Sequence, residues 1–297
     1  MTNTLCGASI RRRSSSVAFY HRLILAGALA LLFAGGVGQV LAQSLSVDNY
    51  TTGTVGKYDV GNGSTTSSSF ISGLTNPIGM AVSGNTLYVA NSGGGSVNAY
   101  DTVTGTVVTG FRTISPGSNP FDVQAAGGLL YVSSRAGNTV GAYNAATGLA
   151  ATSFTAITDL SSPTGLAVAN GILYVANRDT RTIRTYDALT GSILNPNFLS
   201  GVNTQFLTAS GNTLYLSQSS GVNTVTAYDI STGTALAGFT TITGVSTPQG
   251  LNVVGNNLYV ASFGGNAVFD PLSWALDGNL QLQLPTLGGM DGLGFQV

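Results

Sequence analysis

The chain has 297 residues, of which 43% are hydrophobic and only 7% are charged, and its formal net charge is −1. A nucleic-acid-binding protein would be strongly basic and a coiled coil would be rich in glutamate and lysine, so the composition excludes both classes. Glycine, with 41 residues, is about twice as frequent as usual.

Residues 1–42 have the pattern of a secretory signal peptide. A positively charged start is formed by Arg11, Arg12, Arg13 and Arg22. An apolar run follows at 23–33, and the small-x-small sequence 40–42 predicts cleavage after Ala42. An uncleaved membrane anchor is the alternative, but the apolar run is short for a membrane span. The paired arginines also suggest twin-arginine export, whereas the serines that follow them favour the general route.

Cleavage after Ala42 would remove the only cysteine, Cys6, and the only histidine, His21. All 11 acidic residues are aspartate, and all of them lie after the cleavage site. The mature chain would therefore have six basic and 11 acidic residues and a net charge of −5. Disulfides, thiolate nucleophiles and catalytic sites that need an imidazole are excluded from it.

Five Leu-Tyr pairs indicate an internal repeat of about 43 residues. The tyrosines are Tyr88, Tyr131, Tyr174, Tyr215 and Tyr259, with spacings of 43, 43, 41 and 44 residues. A dozen residues later comes an aromatic residue followed by aspartate or asparagine, at 100–101, 143–144, 186–187, 228–229 and 269–270. Most units begin with a proline, at positions 77, 120, 163 and 248.

Each unit is predicted to contain four short antiparallel strands, which we call A to D. Strand A follows the proline, strand B is the Leu-Tyr run, strand C ends at the second aromatic residue, and strand D is rich in Thr and Phe. Turn signals such as Ser-Gly-Asn-Thr at 83–86 separate A from B, and Asp-x-x-Thr-Gly at 101–105 separates C from D. Four strands in 40–50 residues are typical of a β-propeller blade.

The two ends of the chain predict the number of blades. Residues 45–49 align with 87–91, so the mature chain starts at a strand B, whereas 291–297 resemble a strand A without a partner. We expect one C-terminal strand to pair with three N-terminal strands. The fold class is then all-β, a single six-bladed propeller domain over residues 43–297.

The Leu-Tyr-Val-Ala-Asn…Ala-Tyr-Asp…Thr-Gly pattern resembles the YVTN-type and NHL-type β-propeller repeats of exported bacterial proteins, and the resemblance covers residues 45–297. Neighbouring propeller families include gluconolactonase-like metal-dependent hydrolases and streptogramin-lyase-like enzymes. The first implies a glutamate among its metal ligands, and this chain has none; the second implies a histidine, which the mature chain lacks. The resemblance also implies ligand binding at a channel mouth formed by the D–A and B–C loops.

Residues that break the repeat at this mouth are candidate ligands. Asp122 stands where other units have Gly79, Gly165, Gly250 and Gly292, and Asp291 stands where they have Ile78, Phe121 or Thr164. With Gln205 and Gln249 they form an oxygen-rich set suited to Ca²⁺ or Mg²⁺. Solvated or turn-capping carboxylates near the rim are the alternative.

A second candidate is a cluster of arginines in two adjacent B–C loops. It comprises Arg178, Asp179 and Arg181 in one unit and Arg135 in the unit before, with Arg184 on the nearby strand C. Arginine pairs bidentately with carboxylates, which favours an acidic partner. An exposed loop with an internal Arg–Asp pair is the structural alternative. The repeating tyrosines and aspartates are assigned to packing and to hairpins.

The sequence favours a non-enzymatic, exported, monomeric propeller that binds a protein or glycan partner through one face, with no cofactor. A hydrolase or lactonase that uses a Ca²⁺ or Mg²⁺ site at Asp122 and Asp291 is one alternative. A structural envelope or matrix component is the other, favoured by the Gly-rich, charge-poor composition.

Overall fold

A computed structural model describes residues 44–59, 64–219, 221–254, 257–262, 267–269 and 282–283. The regular secondary structure of these residues is β-strand throughout, and they include no helix that could span a membrane. The predicted signal peptide (1–42), Asp291 and the predicted closing strand (291–297) lie outside the described residues.

The strands are β1 (Ser44–Asn49), β2 (Thr54–Asp59), β3 (Thr65–Ile71), β4 (Pro77–Ser83), β5 (Thr86–Asn91), β6 (Ser96–Asp101), β7 (Pro120–Ala126), β8 (Leu129–Ser134), β9 (Thr139–Asn144), β10 (Pro163–Ala169), β11 (Ile172–Asn177), β12 (Thr182–Asp187), β13 (Ile193–Ser200), β14 (Phe206–Ser210), β15 (Thr213–Gln218), β16 (Thr224–Asp229), β17 (Pro248–Val254), β18 (Asn257–Ser262), β19 (Ala267–Phe269) and β20 (Leu282–Gln283).

These strands form antiparallel sheets in which sequence neighbours pair. The described residues make six sheets, in the orders β1-β2-β3, β4-β5-β6, β7-β8-β9, β10-β11-β12-β13, β14-β15-β16 and β17-β18-β19-β20. The predicted order A-B-C is thereby confirmed. The first strands of successive sheets, β4, β7, β10, β14 and β17, contact one another in sequence, so the sheets stack side by side.

The central strand of each sheet is buried on both faces, as its uninterrupted apolar sequence predicts. In β5, β8, β11 and β15 the Leu-Tyr pair and the residue after it are buried. They fill the space between neighbouring sheets, where the core clusters lie.

The predicted strand D is a continuous strand in some units only. In the sheets that end at β6, β9 and β16, this segment makes isolated bridges, such as Val97 to Ile114 and Tyr100 to Val107. In two of these segments Gly110 and Gly238, at φ 86° and 82°, turn the chain away from the ladder between the two bridges. β13 has no such glycine and runs continuously from Ile193 to Ser200, with register shifts.

The repeated tyrosines fasten each sheet to the next. The hydroxyl of Tyr88 donates to the carbonyl of Ala145 at 2.7 Å, and that of Tyr131 donates to the carbonyl of Ala188 at 2.7 Å. In the next unit the hydroxyl of Tyr174 donates to the carbonyl of Ile230 at 3.2 Å. Because these carbonyls lie in the C–D turn of the following unit, the bonds cross the boundary between sheets. The prediction that the tyrosines serve inter-blade packing is confirmed.

Each of these tyrosines also contacts a phenylalanine of the D segment of its own unit. The pairs are Tyr88–Phe111, Tyr131–Phe154, Tyr174–Phe198 and Tyr215–Phe239, with ring centroids 5.3–5.8 Å apart. The Thr/Phe-rich D segment thus packs against the tyrosine even where it makes no continuous strand.

Replacing Tyr131 with phenylalanine is expected to destabilise the protein by about 1–2 kcal/mol, because the carbonyl of Ala188 loses its buried donor. The ring and its contact with Phe154 remain. Chemical denaturation measures the change. Tyr50→Phe is the control, since Tyr50 lies in a turn outside this repeating position; an equal loss in both variants would contradict the assignment.

The C–D hairpins are built on a repeated side-chain acceptor. Oδ1 of Asp101 accepts the backbone N–H groups of Val103 and Thr104 at 2.9 and 2.7 Å. Asp187, Asp229 and Asn144 make the equivalent bonds. The pKa values of Asp187 and Asp229 lie below the usual range, mainly because hydroxyl groups donate to these carboxylates. Backbone N–H donors lower the pKa values further. The predicted hairpin role of these residues is confirmed.

Candidate functional site

The antiparallel topology gives the sheets two distinct ends. One end carries the turns A–B and C–D, and we call it the hairpin end. The other carries the loops that follow β5, β8, β11 and β15 together with the segments that precede β4, β7, β10, β14 and β17, and we call it the loop end. All sequence-predicted site residues that the structure describes lie at or near the loop end.

Asp122 is buried between two sheets, with 7% of its surface exposed. Its Oδ2 accepts the backbone N–H of Leu166 in β10 at 2.8 Å, and its Oδ1 accepts that of Val123 at 2.9 Å. Burial raises the pKa of this carboxyl to about 7, although the two N–H donors oppose the shift. Asp122 therefore ties β7 to β10.

Ser133 strengthens the same junction from β8. Its hydroxyl donates to the carbonyl of Thr164 in β10 at 2.7 Å and accepts the N–H of Asp122 at 3.0 Å. The alternative of a solvated or turn-capping carboxylate does not describe Asp122, because the side chain is enclosed and bonds across the sheets.

The predicted cation site is described only in part, because Asp291 lies outside the described residues. Each carboxylate oxygen of Asp122 already accepts one backbone N–H. Across the described ranges no group of three metal-ligating His, Cys, Asp or Glu residues comes together. Gln249 is 5% exposed in β17, and Gln205 is half-buried just before β14, where its backbone N–H donates to Ser217.

Two phenylalanines meet at the loop end from strands that β10 separates. The rings of Phe121 and Phe206 have centroids 5.3 Å apart, and both side chains are at most 4% exposed. The guanidinium of Arg135 lies over the Phe121 ring at 5.6 Å. Phe206 occupies the position that is glycine in β4 and β10. This substitution is visible in the sequence, but the contact with Phe121 was not predicted from it.

The loop between β11 and β12 presents the second cluster. Arg178 is half-buried, whereas Asp179 and Arg181 are exposed. The carboxylate of Asp179 accepts a hydrogen bond from the Ser162 hydroxyl at 2.5 Å rather than pairing within the loop. The predicted internal Arg–Asp pair is thus not formed by Asp179.

Arg184, on the nearby strand β12, forms an ion pair with Asp159. Its guanidinium contacts the Asp159 carboxylate at 2.9 Å and the Asp159 carbonyl at 2.8 Å. Arg135 and Arg178 occupy the same repeat position, each directly following the Leu-Tyr strand of its unit, so both lie at the loop end, on adjacent sheets.

Several loop-end residues have backbone conformations that sequence reasoning did not predict. The residue before the unit's first proline has positive φ, near 50°, at Asn76, Asn119, Ser162 and Thr247. The last residue of the B–C loop behaves likewise at Gly95, Asn138, Arg181 and Asn223, with φ between 51° and 66°. Recurrence of asparagine and glycine at these positions is the signal that could have indicated them.

Comparisons with known proteins support a β-propeller repeat fold. A family model described as outer membrane protein assembly factor BamB matches residues 51–159. In the crystal structure of a nidogen/laminin complex, one chain matches with a TM-score of 0.68 at 14% identity, covering 86% of this chain and 98% of that chain. The computationally designed Ika8 protein matches with a TM-score of 0.52 at 21% identity, covering 76% of this chain and 68% of that one. No curated protein matches by sequence.

Proposed function

We propose that this chain is an exported, non-enzymatic β-propeller that binds a partner protein through its loop end. The main observation behind the proposal is that most of the prominent repeat residues stabilise the fold, whereas the arginines at the loop end do not. The tyrosines and Asp122 hold neighbouring sheets together, and the hairpin aspartates hold the C–D turns. Arg135, Arg178 and Arg181 at the loop end have no partner carboxylate among the described residues. Residues not needed for folding mark a binding surface.

A protein partner suits this end better than a glycan. Sugars are commonly held by aromatic faces, but Phe121 and Phe206 turn their rings toward each other and are almost fully buried. Among the described residues, the exposed large hydrophobic side chains are all aliphatic. The loop end therefore offers arginine cations and backbone loops, which pair with carboxylates and carbonyls of a polypeptide.

The proposal includes a six-bladed ring of YVTN/NHL-type repeats. β1 is the edge strand of its described sheet and aligns in sequence with the second strand of the other units. That edge would receive residues 291–297. Export after Ala42 would give the folded domain access to envelope partners, in agreement with the partial match to an envelope-assembly family.

Site-specific photo-crosslinking in the native cell tests the proposed binding end. A photoreactive residue replaces either Ala136 in the loop after β8 or Ala146 in the hairpin after β9, both exposed and in the same unit. We expect a discrete protein adduct from position 136 and none from position 146. Equal adducts from both positions, or none from 136, would refute binding through the loop end.

A further inference from the structure

Three arginines at the loop end carry positive charge that the described part of the chain does not neutralise. No described carboxylate lies within ion-pair distance of Arg135, Arg178 or Arg181. The carboxylates of these units have other partners: Asp122 accepts backbone N–H groups, Asp159 pairs with Arg184, and Asp179 accepts a hydrogen bond from the Ser162 hydroxyl. We call these three residues the arginine patch. A guanidinium charge without an internal carboxylate partner is free to pair with an external one.

Arg135 is held in place before any ligand arrives. Its guanidinium lies over the ring of Phe121, which packs in turn on Phe206. An arginine already stacked on an aromatic ring loses little further side-chain freedom when it binds a carboxylate. The entropic cost of fixing the side chain therefore subtracts less from the free energy of binding. This arginine is therefore prearranged rather than simply exposed.

Arg181 is retained at a position that folding alone would give to another residue. The three equivalent loop positions hold Gly95, Asn138 and Asn223, residue types that tolerate positive φ. Arg181 adopts φ 55° there, and the left-handed conformation is unfavourable for a residue with a long side chain. Its backbone is fixed by bonds from its N–H to Arg178 and from Val202 to its carbonyl.

From these observations we infer that the arginine patch, Arg135, Arg178 and Arg181, recognises a carboxylate-rich polypeptide segment of the partner. The inference rests on the proposed function, since it names the chemistry of the partner at the same end. Arginine forks bind carboxylates bidentately, and two arginines at one repeat position on adjacent sheets suit acidic side chains spaced along an extended chain.

Binding of a defined peptide to the full chain tests this inference. The probe is a synthetic peptide of alternating aspartate and serine, amidated at its C-terminus, and the matched peptide has asparagine in place of aspartate. We expect the aspartate peptide to bind and the asparagine peptide not to. Arg135→Gln and Arg178→Gln should each weaken binding roughly fivefold, and added salt should weaken it further.

Arg181→Asn separates a role of Arg181 in binding from a role in stability. It should weaken peptide binding by a similar factor while raising the midpoint of chemical denaturation, because asparagine suits the left-handed backbone. Arg112→Gln is the control for total charge, since Arg112 is an exposed arginine outside the patch. It should leave binding unchanged.

Three results would overturn the inference. The first is equal binding of the aspartate and asparagine peptides, and the second is binding of a polyphosphate chain as tightly as the aspartate peptide. The third is salt-sensitive self-association of the protein through its hairpin aspartates, abolished by Asp187→Asn, which would make a second copy the occupant. If the adduct at position 136 forms but the arginine variants bind the peptide normally, the proposed binding of a protein through the loop end is retained. Recognition of a carboxylate-rich segment by the arginine patch is then wrong.

Discussion

Replacing Gly165 with alanine is expected to destabilise the protein by about 3 kcal/mol. A Cβ at this position would lie 2.6 Å from Cα of Phe206, 2.7 Å from the carbonyl oxygen of Gln205 and 2.8 Å from the nitrogen of Leu207. All three are backbone atoms of the neighbouring inner strand or its lead-in. Relief would require β10 and β14 to move apart along the line where the sheets stack.

Gly171→Ala is the matched control in the same unit. Gly171 has φ +76° and no heavy atom within 4 Å of an added Cβ, so alanine there meets backbone strain of about 1–2 kcal/mol but no clash. Urea denaturation of both variants separates the two effects. Losses of equal size would show that close packing of the inner strands does not limit stability.

The repeat period and the apolar central strands were sufficient to predict most of the fold. Periodic tyrosines located strands such as β5 and β11 within a residue, because a strand buried on both faces leaves a continuous apolar run in the sequence. The D segment was harder to predict. In two units it is interrupted at a single glycine, Gly110 or Gly238, and its Thr/Phe composition does not indicate this interruption.

The candidate site was predicted less completely, for a physical reason. Breaks in the repeat singled out Asp122 and Arg178, but a one-dimensional pattern does not reveal what a side chain faces. Asp122 faces the N–H of Leu166, a residue 44 positions later, and Phe121 meets Phe206 across an intervening strand. Such pairings depend on how neighbouring sheets stack, which the local sequence does not encode.

The stability of the protein should fall as the pH rises from about 5 to about 8, and Asp122 is the cause we predict. Burial raises the pKa of Asp122 to about 7 in the folded protein, whereas an unfolded aspartate titrates near the ordinary value of 3.8. The folded state thus binds the proton more tightly than the unfolded state. The resulting stabilisation is complete below the unfolded pKa and is lost as the pH passes through about 7.

The size of this loss follows from the shift of the pKa. Over this window it amounts to about 2–3 kcal/mol, and Asp122→Asn should remove it, because asparagine does not titrate. The hairpin aspartates act with the opposite sign and at lower pH: their lowered pKa values stabilise the fold above the ordinary aspartate pKa, and this contribution disappears on stronger acidification. They stay ionised throughout the chosen window.

Urea denaturation at several pH values, on the wild-type chain and the Asp122→Asn variant, measures the difference in slope. Asp187→Asn is the matched control, because Asn144 makes the same hairpin bonds and the exposed carboxylate of Asp187 is already ionised. It should keep the wild-type slope. An equally steep slope in the Asp122→Asn chain would show that the carboxylate between β7 and β10 is ionised in the folded protein, and that its two N–H donors outweigh its burial.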